Sequence, residues 1–226
     1  MEEKKIIMAW GDENGNGKTT LVDLKNYVQI PDNNKEKISE FIYWRLYERY
    51  IKPFEYLSDI NKENIDSGQH EEANEAESTK KQYKFRIGFS IMANMCLLIE
   101  TLETFKQGED DSNRKSENFF KRFFDDYKQT HFQISSDEMK KIIGKGEYNF
   151  YKNVRCGILH QGETTGGWRI NNGDKAIDVA KKLIDAKLFK DEMLKILKEI
   201  RENIKTNNTL AINCTKKVNA IINNCQ

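Results

Sequence analysis

The sequence predicts an all-α protein, a helical bundle with a short amino-terminal appendage. Three observations carry that class. Only two prolines occur in 226 residues, and long stretches carry no glycine, so little interrupts a helix. Apolar residues recur at steps of three and four, the spacing that lines one helix face. Hydrophobic residues make up 38% of the chain and charged residues 32%, enough for one core under a heavily charged surface. The length suits one domain with embellishments, or one domain plus a small appendage.

Charge and cysteine usage narrow the setting. Lys plus Arg number 37 against 36 for Asp plus Glu. This balance excludes a whole-protein attraction to nucleic acid and leaves any such binding to a local patch. Cys96, Cys156, Cys214 and Cys225 show no CxxC spacing. Cys96 and Cys156 fall within apolar helical patterns and read as buried thiols, which suits a reducing interior. Residues 1–5 are followed by too short an apolar run for a signal peptide. No run approaches a membrane span. The expected location is the cytoplasm, with no membrane partner.

The appendage covers residues 1–34 and holds the stretch Gly11 to Thr20. Gly17-Lys18-Thr19 ends like a phosphate-binding loop, but the pattern needs its first glycine where Asp12 stands, and no clear strand precedes it. Asp12, Asn14, Asn16, Gly17 and Asp23 fit positions one, three, five, six and twelve of a calcium loop better. That arrangement is similar to a single dockerin-type repeat, although Asn16 replaces an acid and Thr19 an aliphatic residue. The alternative is an Asn/Gly-rich turn between short elements.

The main helical domain is expected over 35–206. Thr20 to Ile30 forms a short helix before it, stopped by Pro31. From Lys35 to about Ile60, Ile38, Phe41, Ile42, Leu46, Tyr50, Phe54 and Leu57 give a helical stripe, with Pro53 as a kink. The stripe's aromatics beside Arg45 and Arg49 read as core before they read as a base-stacking surface. Residues 61–79 have almost nothing to bury and are expected to be a mobile loop; His70 lies there without partners.

Lys80 to about Lys106 is the second long helix, apolar nearly all round between Phe85 and Ile99, which places it at the centre of the bundle. Glu100 and Glu103 resemble metal ligands in spacing, but a solvated helix end explains them as well. Phe119, Phe120, Phe123, Phe124 and Tyr127 mark a third helix, whose basic residues between aromatics suit RNA or, more simply, packing. His131 follows in a turn, and Asp137 to Ile143 is another short helix. A glycine-rich loop around Trp168-Arg169-Ile170, with a short strand, runs to Asp174. A long helix then extends from Asp174 to about Lys205. Residues 207–226 read as a polar tail with a short helix at Val218 to Ile222.

The chemistry concentrates between Asn149 and Thr164. Phe150, Tyr151, Val154, Ile158 and Leu159 form one helix face, interrupted by Arg155 and His160. An arginine binds phosphate oxygens through a planar fork, and a histidine exchanges protons near neutral pH. Gly162, Gly166 and Gly167 put His160 near the helix's carboxyl end. The structural alternative is an arginine binding carbonyls and a histidine meeting the helix dipole. Residues five apart on an α-helix lie about 140° round the axis, so one such pair does not point at a single spot.

The string Val154-Arg155-Cys156-Gly157-Ile158-Leu159-His160-Gln161, in its helical context over roughly Lys35 to Lys205, resembles the HEPN superfamily and a bacterial HEPN-like group within it. These are all-helical proteins whose RNase members carry Arg-x4-6-His near the end of a core helix. The resemblance implies a metal-independent endoribonuclease in defence or stress response, with no cofactor. Arg155 and His160 would be its catalytic pair, in a homodimer that sets two pairs in one cleft, with RNA as substrate and a neutralising or regulatory protein as further partner. Cys156 departs from the polar residue common after the arginine in active members. Gly162 occupies the place of the tyrosine in HEPN toxins silenced by modification, which argues against that subclass. The alternatives are a non-catalytic HEPN module binding nucleotide, RNA or protein, and an interaction protein whose Asp12 loop binds calcium.

Overall fold

The computed structural model describes residues 6–55 and 87–225. The expected mobile loop over 61–79, His70 and Phe85 lie outside the described residues. The fold is mostly helical, as expected, with two small sheets added.

Strand β1 (Ile7–Ala9) pairs antiparallel with β2 (Thr19–Thr20). A strand therefore does precede the Gly11 loop. Helix α1 (Leu21–Gln29) starts at a capping box: Asp23 N donates to Thr20 Oγ1 at 3.2 Å, and Thr20 N donates to Asp23 Oδ2 at 2.9 Å. Pro31 opens a 3₁₀ turn, as a residue with fixed φ and no N–H can. Helix α2 (Lys35–Leu46) runs into a π turn over Tyr47–Ile51 and continues through residues 52–55. The disturbance expected at Pro53 takes this form. Its ring crowds the carbonyl four residues back, and the wider turn, in which Lys52 N bonds Tyr47 O, makes room.

Helix α3 (Gly88–Gln107) forms the centre, packed against the helices over Ala186–Thr206 and Asn208–Asn223, with the helix over Ser116–Tyr127 and the motif helix beside it. Ile91, Met92, Met95, Cys96, Leu98, Ile99 and Leu102 are buried, whereas Phe89 and Leu97 keep an open edge. Burial pushes the Cys96 thiol pKa up. The helix ends at Gly108, in the left-handed region at φ 67, with Glu109 N bonded back to Thr104 O at 2.9 Å.

Helix α4 (Ser116–Tyr127) buries Phe119, Phe120, Phe123, Phe124 and Tyr127, so its aromatic face is core. Helix α5 (Ser136–Ile143) carries a second capping box, between Ser135 and Glu138. The motif helix follows, as a π turn over Tyr151–Cys156 and α6 (Gly157–Gln161).

The stretch from Asp174 departs from the expected long helix. Strands β3 (Arg169–Ile170), β4 (Ile177–Asp178) and β5 (Leu183–Ile184) form a sheet in the order β3-β5-β4, with β3 parallel and β4 antiparallel to β5. Ile177 and Ile184, seven apart, read as helical spacing, yet they are cross-strand partners. Helix α7 (Ala186–Thr206) starts only where Asp185 Oδ1 accepts from Lys187 N and Leu188 N, both at 2.9 Å. Helix α8 (Asn208–Asn223) is much longer than the short helix expected at Val218 to Ile222 and buries Ala211, Cys214, Val218 and Ile222. Leu21 and Leu24 of the appendage and Val218 of the tail belong to the same core as α3.

Candidate active site at Arg155 and His160

The motif helix is held before its chemistry begins. Asn149 Oδ1 accepts from Lys152 N at 2.6 Å, capping the first turn. Phe150 is fully buried among Phe124 (4.8 Å between centroids), Trp168 and Phe189. Asn153 is buried as well, and its amide is fully used. Its Nδ2 donates to the carbonyls of Gly146, Glu147 and Asn149 at 3.0 to 3.1 Å, and its Oδ1 accepts from Thr165 Oγ1 at 2.9 Å. One side chain thus ties the turn before the helix to the loop after it.

That loop lies directly on the helix. A Cβ on Gly157 would meet Glu163 O at 2.6 Å, and one on Gly166 (φ +64) would meet Asn153 and Glu147 O at 2.7 Å. Gly162, at φ 75, ends the helix in the left-handed region with its N–H on Ile158 O. The peptide of Thr165 donates to Asn153 O at 2.8 Å.

Arg155 is mostly buried, with its side chain 15% exposed, and Nε donates to Glu100 Oε1 at 2.6 Å. The second oxygen of Glu100 accepts from Ser112 Oγ at 2.9 Å and Ser116 Oγ at 3.0 Å. Burial opposes the guanidinium charge, but the hydrogen bond and attraction of Glu100 outweigh it and hold the Arg155 pKa above its ordinary value. The guanidinium also lies over the Tyr151 ring, 5.5 Å from its centroid. Its Nη1 reaches His160 Nε2 at 3.3 Å. A guanidinium only donates, so this contact is a hydrogen bond when Nε2 is the acceptor.

Arg155 and His160 therefore meet within one chain, although helical geometry alone set them about 140° apart. The long arginine side chain, anchored on α3 at Nε, lies along the helix and presents its tip to the exposed His160. The π turn adds a residue to its own turn and moves the downstream side chains out of α-helical register. Cys156, expected to be buried, is only partly so, because it lies off the buried face formed by Phe150, Asn153, Val154, Gly157 and Ile158.

Glu100 and Glu103 do not occupy a solvated helix end. They are 5% and 0% exposed. Glu103 pairs with Lys106 at 2.6 Å, and Lys106 reaches Asp126 at 2.7 Å. Sequence reasoning weighed Glu100 but missed it as the partner of Arg155. The available signal was an acid inside the apolar run of α3. Ser112 and Ser116 gave no signal. His131 stands elsewhere, between Glu192 (3.2 Å) and Glu199 (3.1 Å) of α7.

In the Gly11 loop, Asp12 Oδ1 accepts from Asn14 N and Asn16 N, and Oδ2 accepts from Asn16 Nδ2. Asp23 is spent on the cap of α1. The two carboxylates therefore serve separate local turns. Among the described residues, no group of three or more His, Cys, Asp or Glu is placed to hold a metal ion, and no helix is long and apolar enough to cross a membrane.

No protein-family model, curated protein or solved structure matches this chain.

Proposed function

We propose that this chain is a cytoplasmic, metal-independent endoribonuclease of HEPN type, acting in defence or stress response. The observation that carries the reading is the contact of Arg155 Nη1 with His160 Nε2 at 3.3 Å, with the arginine braced by Glu100. Phosphodiester transesterification needs a cation for the phosphate oxygens and an imidazole nitrogen for the proton, and here the two sit within one contact that an incoming phosphate can open.

In the reaction, Arg155 Nη1 turns from His160 Nε2 to a non-bridging phosphate oxygen, and the freed Nε2 lone pair takes the proton of an RNA 2′-hydroxyl. The 2′-oxygen then bonds to the adjacent phosphorus, and the bond from phosphorus to the 5′-oxygen breaks. Arg155 donates to the non-bridging oxygens as charge builds on them. The leaving oxygen gains a proton from water or from a second imidazolium. The products are a 2′,3′-cyclic phosphate and a 5′-hydroxyl. The homodimer and a neutralising protein partner belong to the same reading. Phe89 and Leu97, 40% and 38% exposed, offer apolar surface on the helix that carries Glu100.

The second reading is a non-catalytic HEPN module that binds nucleotide, RNA or protein. Cys156, in the place of the polar residue common in active members, favours it. The deciding experiment is cleavage of end-labelled RNA by wild type, Arg155→Ala and His160→Ala, each with and without EDTA. Cleavage that resists EDTA, leaves cyclic phosphate ends and vanishes in both folded variants is expected. A folded wild type that cleaves none of a varied RNA set moves the assignment to the binding module. Cleavage that persists in His160→Ala overturns the site.

A further inference from the structure

Along the motif helix, at Tyr151, lies an open groove of about 390 Å³, lined by Glu117, Lys145, Asn149, Tyr151, Lys152 and Cys156 among others. We infer that this groove holds one unpaired nucleotide of an RNA strand, next to the phosphate that the catalytic pair addresses. The inference rests on the ribonuclease reading only for where the cut falls.

The groove's size, charge and position support the same occupant. Its volume lies in the range of roughly 300–1,000 Å³ that suits a small-molecule-sized group. Its charge is cationic in effect. Glu117, the acid in the wall, is paired with Lys121 at 3.0 Å. Nearby, Lys140 pairs with Asp137 and Lys182 with Glu147, while Lys141 is taken up over the Tyr148 ring. Lys145 and Lys152 are exposed and make no ion pair among the described residues. Two unmatched ammonium groups on the walls of one groove attract phosphates, whose negative charge dominates affinity for nucleic acid.

Position connects the groove to the chemistry. Tyr151 forms a wall, and the Arg155 guanidinium lies over that same ring at 5.5 Å. Cys156, another wall residue, follows Arg155 directly. A strand that leaves the catalytic pair along this wall therefore enters the groove.

The concave shape selects single strands, because a base enters such a space only when it is unstacked from a duplex. It also makes the subsite tolerant of sequence. The Asn149 amide, which otherwise could read a base edge, is consumed by the fold: Nδ2 donates to Gly144 O at 2.5 Å and Oδ1 accepts from Lys152 N at 2.6 Å.

The test is fluorescence anisotropy with labelled single-stranded and duplex RNA, using His160→Ala protein so that the probe stays intact. Adding Lys145→Ala and Lys152→Ala is expected to weaken single-strand binding by about tenfold and to reduce the slope of log K against log salt by about 1.4, two contacts at roughly 0.7 each. Adding Lys187→Ala and Lys198→Ala, which removes two exposed lysines from α7, is expected to change neither. Saturating RNA is also expected to protect Cys156, but not the exposed Cys225, from alkylation mapped by mass spectrometry. Unchanged affinity and slope in the Lys145/Lys152 variant, equal binding of duplex, or unprotected Cys156 overturns the inference. Wild-type cleavage with a normally binding Lys145/Lys152 variant removes the groove and leaves the nuclease. Loss of binding in that variant, with a wild type that never cleaves, keeps the groove and removes the nuclease.

Discussion

Glu100 and Arg155, 55 residues apart in sequence, share a 2.6 Å hydrogen bond that fixes the candidate catalytic arginine to the central helix. Both partners are largely buried, and breaking such a pair from one side leaves a charge without its counterpart. Glu100→Ala is expected to destabilise the fold by about 3 kcal/mol in urea denaturation and to abolish RNA cleavage. Glu100→Gln keeps the shape and is expected to retain more stability than activity. Full cleavage by Glu100→Ala would refute the bracing role.

Lys106 performs a similar service for Glu103, whose side chain is 0% exposed and whose Oε2 has no hydrogen-bond partner. Lys106→Met is expected to cost about 3–5 kcal/mol. Adding Glu103→Gln should recover much of that loss, a non-additivity that a double-mutant cycle measures.

The same carboxyl gives a pH signature. Burial raises the Glu103 pKa above its ordinary 4.5, against the pull of Lys106. A raised folded-state pKa means that the native chain holds this proton longer than the unfolded chain. The stabilising contribution is complete below 4.5 and is lost as pH rises through the folded value. Glu103→Gln should therefore gain stability relative to wild type as pH climbs from about 4.5. Parallel stability–pH curves for the two proteins would refute the assignment.

Asn153→Ala removes the residue that joins the turn before the motif helix to the loop after it. The carbonyls of Gly146 and Glu147 lose their donor, at about 1–3 kcal/mol overall. Protease cutting within 163–167 should quicken, since the loop loses its tether. Cleavage of RNA should fall with it.

Gly157→Ala tests the close approach of that loop. Its backbone is helical, so no φ strain enters, but the new Cβ would lie 2.6 Å from Glu163 O. The loop must move, at about 1–3 kcal/mol. A neutral result in thermal denaturation would show that the loop is free to shift.

Much of this was legible in the sequence, and the failures have physical reasons. The aromatic period of α4 and the apolar run of α3 announced buried faces, because burial imposes spacing. Ile177 and Ile184 misled, since a seven-residue separation fits two helical turns and also two strands joined by a turn. Asp185 was the available boundary mark: a capping side chain stands there, with α-helix only beyond it. At the site, Arg155 and His160 were visible as residue types and as a spacing. Their contact was not, because it depends on Glu100 fixing Nε from another helix. Local periodicity carries no information about a partner that distant.

The amide of Asn213 in α8 donates to the carbonyl of Lys106 in α3 across 107 residues of chain, and α8 also packs against α1. On the ribosome, α3 therefore emerges long before the helix that covers one of its flanks. Residues 150–161 leave the exit tunnel during that interval. A nascent chain thus displays Arg155 and His160 before its core can close, and contacts this distant in sequence form slowly. Completion of α8 sets the earliest moment at which the whole fold can exist. A message truncated just after Thr206 would yield a chain with the complete motif and an uncovered α3, a substrate for proteolytic quality control rather than a working protein.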